Sequence, residues 1–166
     1  MKENIELIQL KKEENDIKEM SLLATSIIRE YYDPLLGKEQ NDYMINLFQS
    51  EEGIKRQLND GYNYYFIKIN KDLVGFFAFY FRNEVLYLSK FYLKKECRNH
   101  GYSHLVMDFL KEEANKNNKE YIELSVNKYN PTIKIYEKLG FVLYKEECNP
   151  IGQGYYMDDY VYRYKV

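Results

Sequence analysis

The stretch Leu93-Lys-Lys-Glu-Cys-Arg98-Asn-His-Gly101-Tyr-Ser103-His-Leu-Val-Met107 decides how this chain is read. A strand-like run from Glu84 to Leu93 feeds a turn over 98–103. A helix with apolar periodicity follows, with Leu105, Val106, Phe109 and Leu110 expected inward. A strand, a glycine-containing turn and a helix start together aim several backbone N–H groups at one point. With the helix dipole behind them, those groups suit a phosphate.

Two common phosphate loops are excluded. A P-loop needs Gly-Lys-Ser or Gly-Lys-Thr, but Gly37-Lys38 is followed by Glu39. The Gly-x-Gly-x-x-Gly dinucleotide fingerprint is absent as well. What stands here is Arg98-x-x-Gly101-x-Ser103. It resembles the Arg/Gln-x-x-Gly-x-Gly/Ala pyrophosphate loop of the GNAT N-acetyltransferase superfamily, which binds acetyl-coenzyme A. Downstream, a strand-like segment Tyr121–Val126 leads to Asn127-Lys-Tyr-Asn130-Pro-Thr-Ile-Lys-Ile-Tyr136-Glu-Lys-Leu-Gly140-Phe141. This is similar to the superfamily's second signature: a Val-Asn segment, a helix with an Asn near its start, then Tyr-Glu-Lys-Leu-Gly-Phe. The resemblance spans about residues 62–146.

Composition narrows the class. A chain of 166 residues is long enough for one domain, 1–166, with a substantial core. Net charge is −2 and the basic residues are dispersed, which argues against a nucleic-acid partner. No apolar run reaches membrane-span length, and the amino terminus does not read as a signal peptide. Cys97 and Cys148 form no Cys-x-x-Cys pair and read as reduced thiols of a cytoplasmic protein. The chain has 19 Tyr and no Trp, so a single Tyr says little about function by itself.

The elements follow from periodicity and turn residues. Residues 5–10 read as a strand. Residues 13–32 read as a helix with Ile17, Met20, Leu23, Ala24, Ile27 and Ile28 inward, ended by Asp33-Pro34. A helix from about Lys38 to Phe48 and a short one from Glu51 to Leu58 come next. Strands are expected at 64–69, 73–81 and 84–93 as an antiparallel meander, then helix 103–117, strand 120–126, helix 130–138, strand 141–146 and strand 155–165. The order β-α-α-β-β-β-α-β-α-β-β predicts an α/β (α+β) fold: a mixed, mostly antiparallel sheet of six to seven strands with helices on both faces. It is also the GNAT order.

The resemblance implies roles. The cofactor is acetyl-coenzyme A. Its pyrophosphate would lie on the backbone of Asn99, His100, Gly101, Tyr102, Ser103 and His104, with Arg98 opening the loop. The backbone of Phe91, Tyr92 and Leu93 aligns with the segment that pairs with the pantetheine amides. Asn127 and Asn130 align with further cofactor contacts. Asn130 stands six residues before Tyr136 where the family has seven, so either the helix starts differently or Asn127 takes part. Tyr136 aligns with the family's general acid, whose phenol protonates the departing thiolate. Some members carry a basic Glu on the fourth strand, eleven positions before the loop's Arg/Gln. Tyr87 stands there, and it is no base at neutral pH. His100 and His104 lack an H-E-x-x-H partner and a third ligand, so no metal is expected.

The acceptor segment Arg29-Glu-Tyr-Tyr32-Asp33-Pro-Leu-Leu-Gly-Lys-Glu-Gln-Asn-Asp-Tyr43-Met44 resembles one in a bacterial GNAT group that includes spermidine/spermine acetyltransferases. The ending Gly154-Tyr-Tyr-Met-Asp158-Asp159-Tyr160 is similar to that group too. Tyr32, Asp33, Tyr43 and Tyr87 are the substrate-side candidates, with Glu30, Asp158 and Asp159 as further acidic groups for a cationic amine. Three readings stand: an amine N-acetyltransferase acting on a small molecule or a peptide amine, a GNAT-fold acyl-coenzyme A sensor without catalysis, and an unrelated phosphate-binding module. Pairing through the Tyr-rich last strand is a route to a homodimer.

Overall fold

The computed structural model describes residues 3–166. Seven strands and five α-helices follow one another as β1 (Ile5–Gln9), α1 (Glu14–Leu36), α2 (Lys38–Phe48), α3 (Glu51–Asn59), β2 (Asn63–Ile69), β3 (Asp72–Arg82), β4 (Val85–Leu93), α4 (Tyr102–Lys116), β5 (Tyr121–Asn127), α5 (Ile133–Lys138), β6 (Val142–Gly152) and β7 (Tyr155–Lys165). The strands are ordered β1-β2-β3-β4-β5-β7-β6. The expected mixed, mostly antiparallel sheet is present, with the β4–β5 pair parallel. Three helices separate β1 from β2, at the three places where periodicity predicts them, so the β-α-α-β opening of the expected order is one helix short.

The described residues form two compact units. The first takes the chain up to Tyr80 and the segment Lys90–His100. Its core joins Ile17, Met20, Ala24 and Ile27 of α1 to Ile54 and Leu58 of α3 and to Tyr64, Phe66, Phe76 and Ala78 of the strands. β1, β2 and β3 are antiparallel neighbours. Asn70 and Lys71, at φ 51° and 73°, make the tight β2–β3 turn whose twist matches the strands. α1 does not stop at Asp33-Pro34 but runs to Leu36. Pro34 lies in the last turn, where its missing N–H removes one ladder bond, and the Gly37 N–H closes the turn on the Asp33 carbonyl at 3.0 Å.

The second unit comprises Phe81–Ser89 and Gly101–Val166. β4 pairs with β5 over Val85–Leu88, β5 with β7 over its whole length, and β7 with β6. α4 buries Tyr102, Val106, Met107, Leu110 and Ala114. Leu105, expected inward, is 39% exposed: it sits off the stripe that Tyr102, Val106 and Leu110 define. β6 runs on to Gly152 instead of ending at 146, because its hairpin with β7 closes only at Gly152↔Tyr155. Pro150 is tolerated there because β6 ends the strand order and needs no second ladder. α5 opens at Ile133, three residues later than expected. Asn130 Oδ1 accepts from the Thr132 N–H at 2.9 Å and hydroxyl at 2.8 Å, a local turn that competes with helix.

Candidate active site

The loop that precedes α4 is built from backbone shape. A short 3₁₀ turn, Lys95–Cys97, is followed by Arg98 in an extended conformation and Asn99 at φ 65°. Gly101 is the N-cap of α4 at φ 80°, ψ 6°, a left-handed conformation that glycine adopts without strain. A Cβ added at Gly101 would meet nothing within 4 Å, so the space over the helix start is open. The N–H groups of Tyr102 and Ser103 open this 15-residue helix without intrahelical partners, while the His104 N–H donates to the Gly101 carbonyl at 3.2 Å. This is the geometry that a pyrophosphate needs. His100 and His104 are exposed, Tyr102 is buried in the helix stripe, and Ser103 is half-buried.

Arg98 is tied within the first unit. Its Nε donates to the Leu93 carbonyl at 3.0 Å, its guanidinium pairs with Glu30 at 3.1 Å, and it covers the Tyr31 ring at 4.0 Å. The side chain thus fixes the loop to the end of β4 and uses the Leu93 carbonyl to do so. Phe91 and Tyr92, also half-buried, lie past the part of β4 that pairs with β5.

In the first unit, Tyr32 and Tyr92 bring their hydroxyls to 3.1 Å and pack edge to face with Tyr31 nearby. Asp33 accepts from Asn41 Nδ2 at 2.7 Å, and Arg29 stands 4.0 Å away. Tyr43 is half-buried on α2. Most of the acidic side chains expected to meet a cation are therefore already engaged: Glu30 by Arg98, Asp33 by Asn41 and Arg29, Asp158 by Lys128 at 3.0 Å.

In the second unit, Tyr136 is 8% exposed and lies edge to face on Phe141, ring centroids 5.7 Å apart. The Leu139-Gly140-Phe141 signature explains that placement. Gly140 at φ 104° ends α5, and the Phe141 N–H folds back onto the Tyr136 carbonyl at 3.0 Å. Asn127 Oδ1 accepts from the Tyr129 N–H at 2.9 Å, so Asn127 and Asn130 both shape the β5–α5 turn. Tyr87 donates its hydroxyl to Ser125 Oγ at 2.7 Å, and Arg82 covers its ring at 4.5 Å.

Three ionisable groups are buried; the sequence reading missed Glu123 and Lys90 and took Asp159 as a surface acid for a cationic amine. Glu123, 2% exposed, binds both Arg82 and Arg163, the latter at 2.8 Å. Lys90, 6% exposed, has no acidic partner among the described residues; burial pushes its pKa well down. Asp159, 8% exposed, has its pKa pushed up to about 6 by burial first, then by Asp158 and Glu147. The signal was present for two of them. A charged residue inside a strand that is otherwise apolar, as in Leu88-Ser-Lys90-Phe and Tyr121-Ile-Glu123-Leu, implies a buried charge with arranged partners.

Comparison with known proteins gives the chain a family. The family model described as an acetyltransferase (GNAT) domain matches residues 33–153. No curated protein matches the sequence. Among solved structures, the PaiA N-acetyltransferase from Thermoplasma acidophilum in complex with coenzyme A is 17% identical, with 100% of both chains covered and a TM-score of 0.77. A GNAT family acetyltransferase from Elizabethkingia anophelis with acetyl-CoA bound is 14% identical, with 99% of this chain and 100% of that one covered and a TM-score of 0.68. A variant of the spermidine N-acetyltransferase from Vibrio cholerae is 18% identical, with 97% and 93% covered and a TM-score of 0.65. At these identities the likeness speaks for the fold, while the family match rests on the sequence itself. The chain belongs to the GNAT family of acetyltransferases.

Proposed function

We propose that this protein transfers the acetyl group of acetyl-coenzyme A to the primary amine of a small molecule, by direct attack in a ternary complex. The observation that carries the reading is the open, left-handed Gly101 turn at the start of α4. Backbone N–H groups from Asn99 to Ser103 would hold the pyrophosphate, with the His104 N–H closing the turn on the Gly101 carbonyl, and a side chain at 101 would fill the cradle. The backbone of Phe91 and Tyr92, beyond the β5-paired part of β4, would take the pantetheine amides as a neighbouring strand would.

In this reading the neutral amine attacks the thioester carbonyl. The C–N bond forms, the C–S bond breaks, and the electron pair goes to sulfur. Tyr136, held by Phe141, donates its phenolic proton to that sulfur and regains one from the acetylated nitrogen. A polyamine is the acceptor class proposed, on the likeness of the 29–44 segment and the chain's ending to polyamine acetyltransferases. The half-exposed Glu30 and Asp158 would add charge attraction at the surface. The chain acts as one domain, and a homodimer through its last strands is compatible with this chemistry.

Free-thiol release from acetyl-coenzyme A across an amine panel tests the proposal. The panel holds spermidine, spermine, amino acids, an aminoglycoside and a peptide amino terminus. Turnover with the polyamines alone is the expected result. Turnover with another amine only removes the polyamine. Coenzyme A binding without turnover for any amine favours the acyl-coenzyme A sensor.

A further inference from the structure

We propose that Asp159 is the general base of the transfer: its carboxylate takes the proton from the acceptor's ammonium group. The assignment rests on amine acetylation being the reaction.

Strand register sets the geometry. Glu123 pairs with Arg163 and Asn127 with Asp159 across β5 and β7, while Tyr87 pairs with Glu123 across β4 and β5. Directly paired residues share a face, and residues two apart along a strand share it too. Tyr87, Glu123, Ser125, Asn127 and Asp159 therefore all lie on one face. It is the face where the superfamily's strand glutamate would stand, and where this chain has Tyr87.

The other carboxylates on that face are occupied. Glu123 is held by Arg82 and Arg163, and Glu147, opposite Asp159 on β6, is paired with Lys145 at 2.8 Å. Asp159 differs. No hydrogen bond or ion pair reaches its side chain among the described residues. Lys128, the nearest cation, is bound to Asp158 at 3.0 Å and Glu146 at 3.4 Å instead. At 8% exposure the carboxylate keeps only a narrow opening to water, and the cost of burying its charge raises its affinity for a proton. The charged groups that act on it are Glu147, paired opposite it on β6, Lys128 just past β5, and Asp158, the adjacent residue of β7 on the other face. Burial, Asp158 and Glu147 outweigh Lys128 and bring its pKa to about 6. At pH 7 it is mostly ionised and able to accept a proton, yet its acid form returns that proton readily to water.

The proton balance is simple. The ammonium loses one proton to Asp159 and becomes the attacking amine. After the C–N bond forms, the nitrogen's second proton replaces the one that leaves with the thiol. Asp159 then releases its proton to solvent.

The test is the pH profile of kcat/KM for the best amine, in wild type and Asp159→Asn. The wild type is expected to show an acid limb near pH 6. Asp158→Asn, which removes a like charge, should move that limb to lower pH. Asp159→Asn should abolish the limb and lower kcat/KM at pH 7 by on the order of 10²–10³-fold, with coenzyme A affinity unchanged. Its deficit should shrink about tenfold per pH unit as the amine deprotonates unaided. A wild-type profile flat through pH 6, or a deficit equal at every pH, overturns the assignment. The wild-type limb is read without any variant, so poor folding of Asp159→Asn leaves the test intact. Absence of wild-type turnover with every amine would sink the acetylation reading instead.

Discussion

Lys90 Nζ donates to the Phe48 carbonyl at 2.7 Å and so fastens β4 to the end of α2. The same ammonium reaches Gln49 Oε1 at 3.0 Å, Gln57 Oε1 at 2.9 Å and the Tyr64 hydroxyl. One side chain thus joins two strands and two helices through neutral acceptors. The α2 carboxyl end adds a favourable dipole, and burial opposes the charge.

Lys90→Met should therefore lower stability. It leaves the Phe48 carbonyl and Gln49 Oε1 without the Lys90 donor, while Gln57 Oε1 keeps the Tyr64 hydroxyl, at a cost of about 2–3 kcal/mol, or roughly 8 °C in Tm. The pH dependence has a definite sign. The folded pKa of Lys90 lies below the unfolded value of about 10.4. Between those two values the unfolded chain binds the extra proton, so wild-type stability rises with pH. The gap between wild type and Lys90→Met should widen as pH rises from the folded pKa toward about 10. Urea titrations at several pH values measure it, and a gap that narrows would contradict the role.

Glu123 offers the reverse case, a buried anion with two cations. Glu123→Gln would strand Arg82 and Arg163. Removing one partner of a fully buried pair costs about 3–5 kcal/mol. Arg82 is half-exposed and can rehydrate, so a loss of about 2–3 kcal/mol is expected. A double-mutant cycle with Arg163→Met isolates the pair, and a coupling below about 0.5 kcal/mol would show that the cluster is not held as described.

Gly101 separates fold from binding. At φ 80° an alanine is strained by about 1 kcal/mol, with no neighbour to clash against. The same methyl group intrudes on the proposed pyrophosphate cradle. Gly101→Ala should lose only a few degrees of Tm while coenzyme A affinity, measured by calorimetry, drops at least about tenfold, since even one misplaced phosphate contact costs about 1.4 kcal/mol. Gly101→Glu adds like charge and should abolish binding. Unchanged affinity in both variants would remove the loop from the cofactor site.

Much of this was legible in the sequence because local rules and tertiary structure agreed. Gly101 stands where only a left-handed residue can turn a strand end into a helix, and Gly140 where α5 must reverse so that Phe141 can pack on Tyr136. Local rules failed where packing decided. Pro34 reads as a stop, but it fell in a turn that α1 could complete without its N–H. The strand expected to end at 146 runs on to Gly152 through Pro150, because an end strand needs only one ladder. Asn130 reads as a helix start, but its side chain bonds Thr132 and delays the helix. The ionised networks were least legible. Arg82, Glu123 and Arg163 come from three strands, so their meeting depends on register rather than on any spacing along the chain.

Tyr136 is the residue whose removal should separate chemistry from binding most cleanly. Its ring is held by Phe141, and the Phe141 N–H bonds its carbonyl, so Tyr136→Phe keeps the packing and deletes one hydroxyl. Stability should change by less than about 1 kcal/mol, and coenzyme A affinity should stay within a factor of about two. If the phenol protonates the leaving thiolate, kcat should fall on the order of 10²-fold. The loss should be smaller with acetyl donors whose thiols are more acidic, because a better leaving group needs less help from an acid. Rates with two acetyl thioesters of different thiol pKa, for wild type and Tyr136→Phe, decide the matter. An equal loss with both donors would mean that the hydroxyl positions substrate rather than donating a proton, and full activity would leave Tyr136 a packing residue.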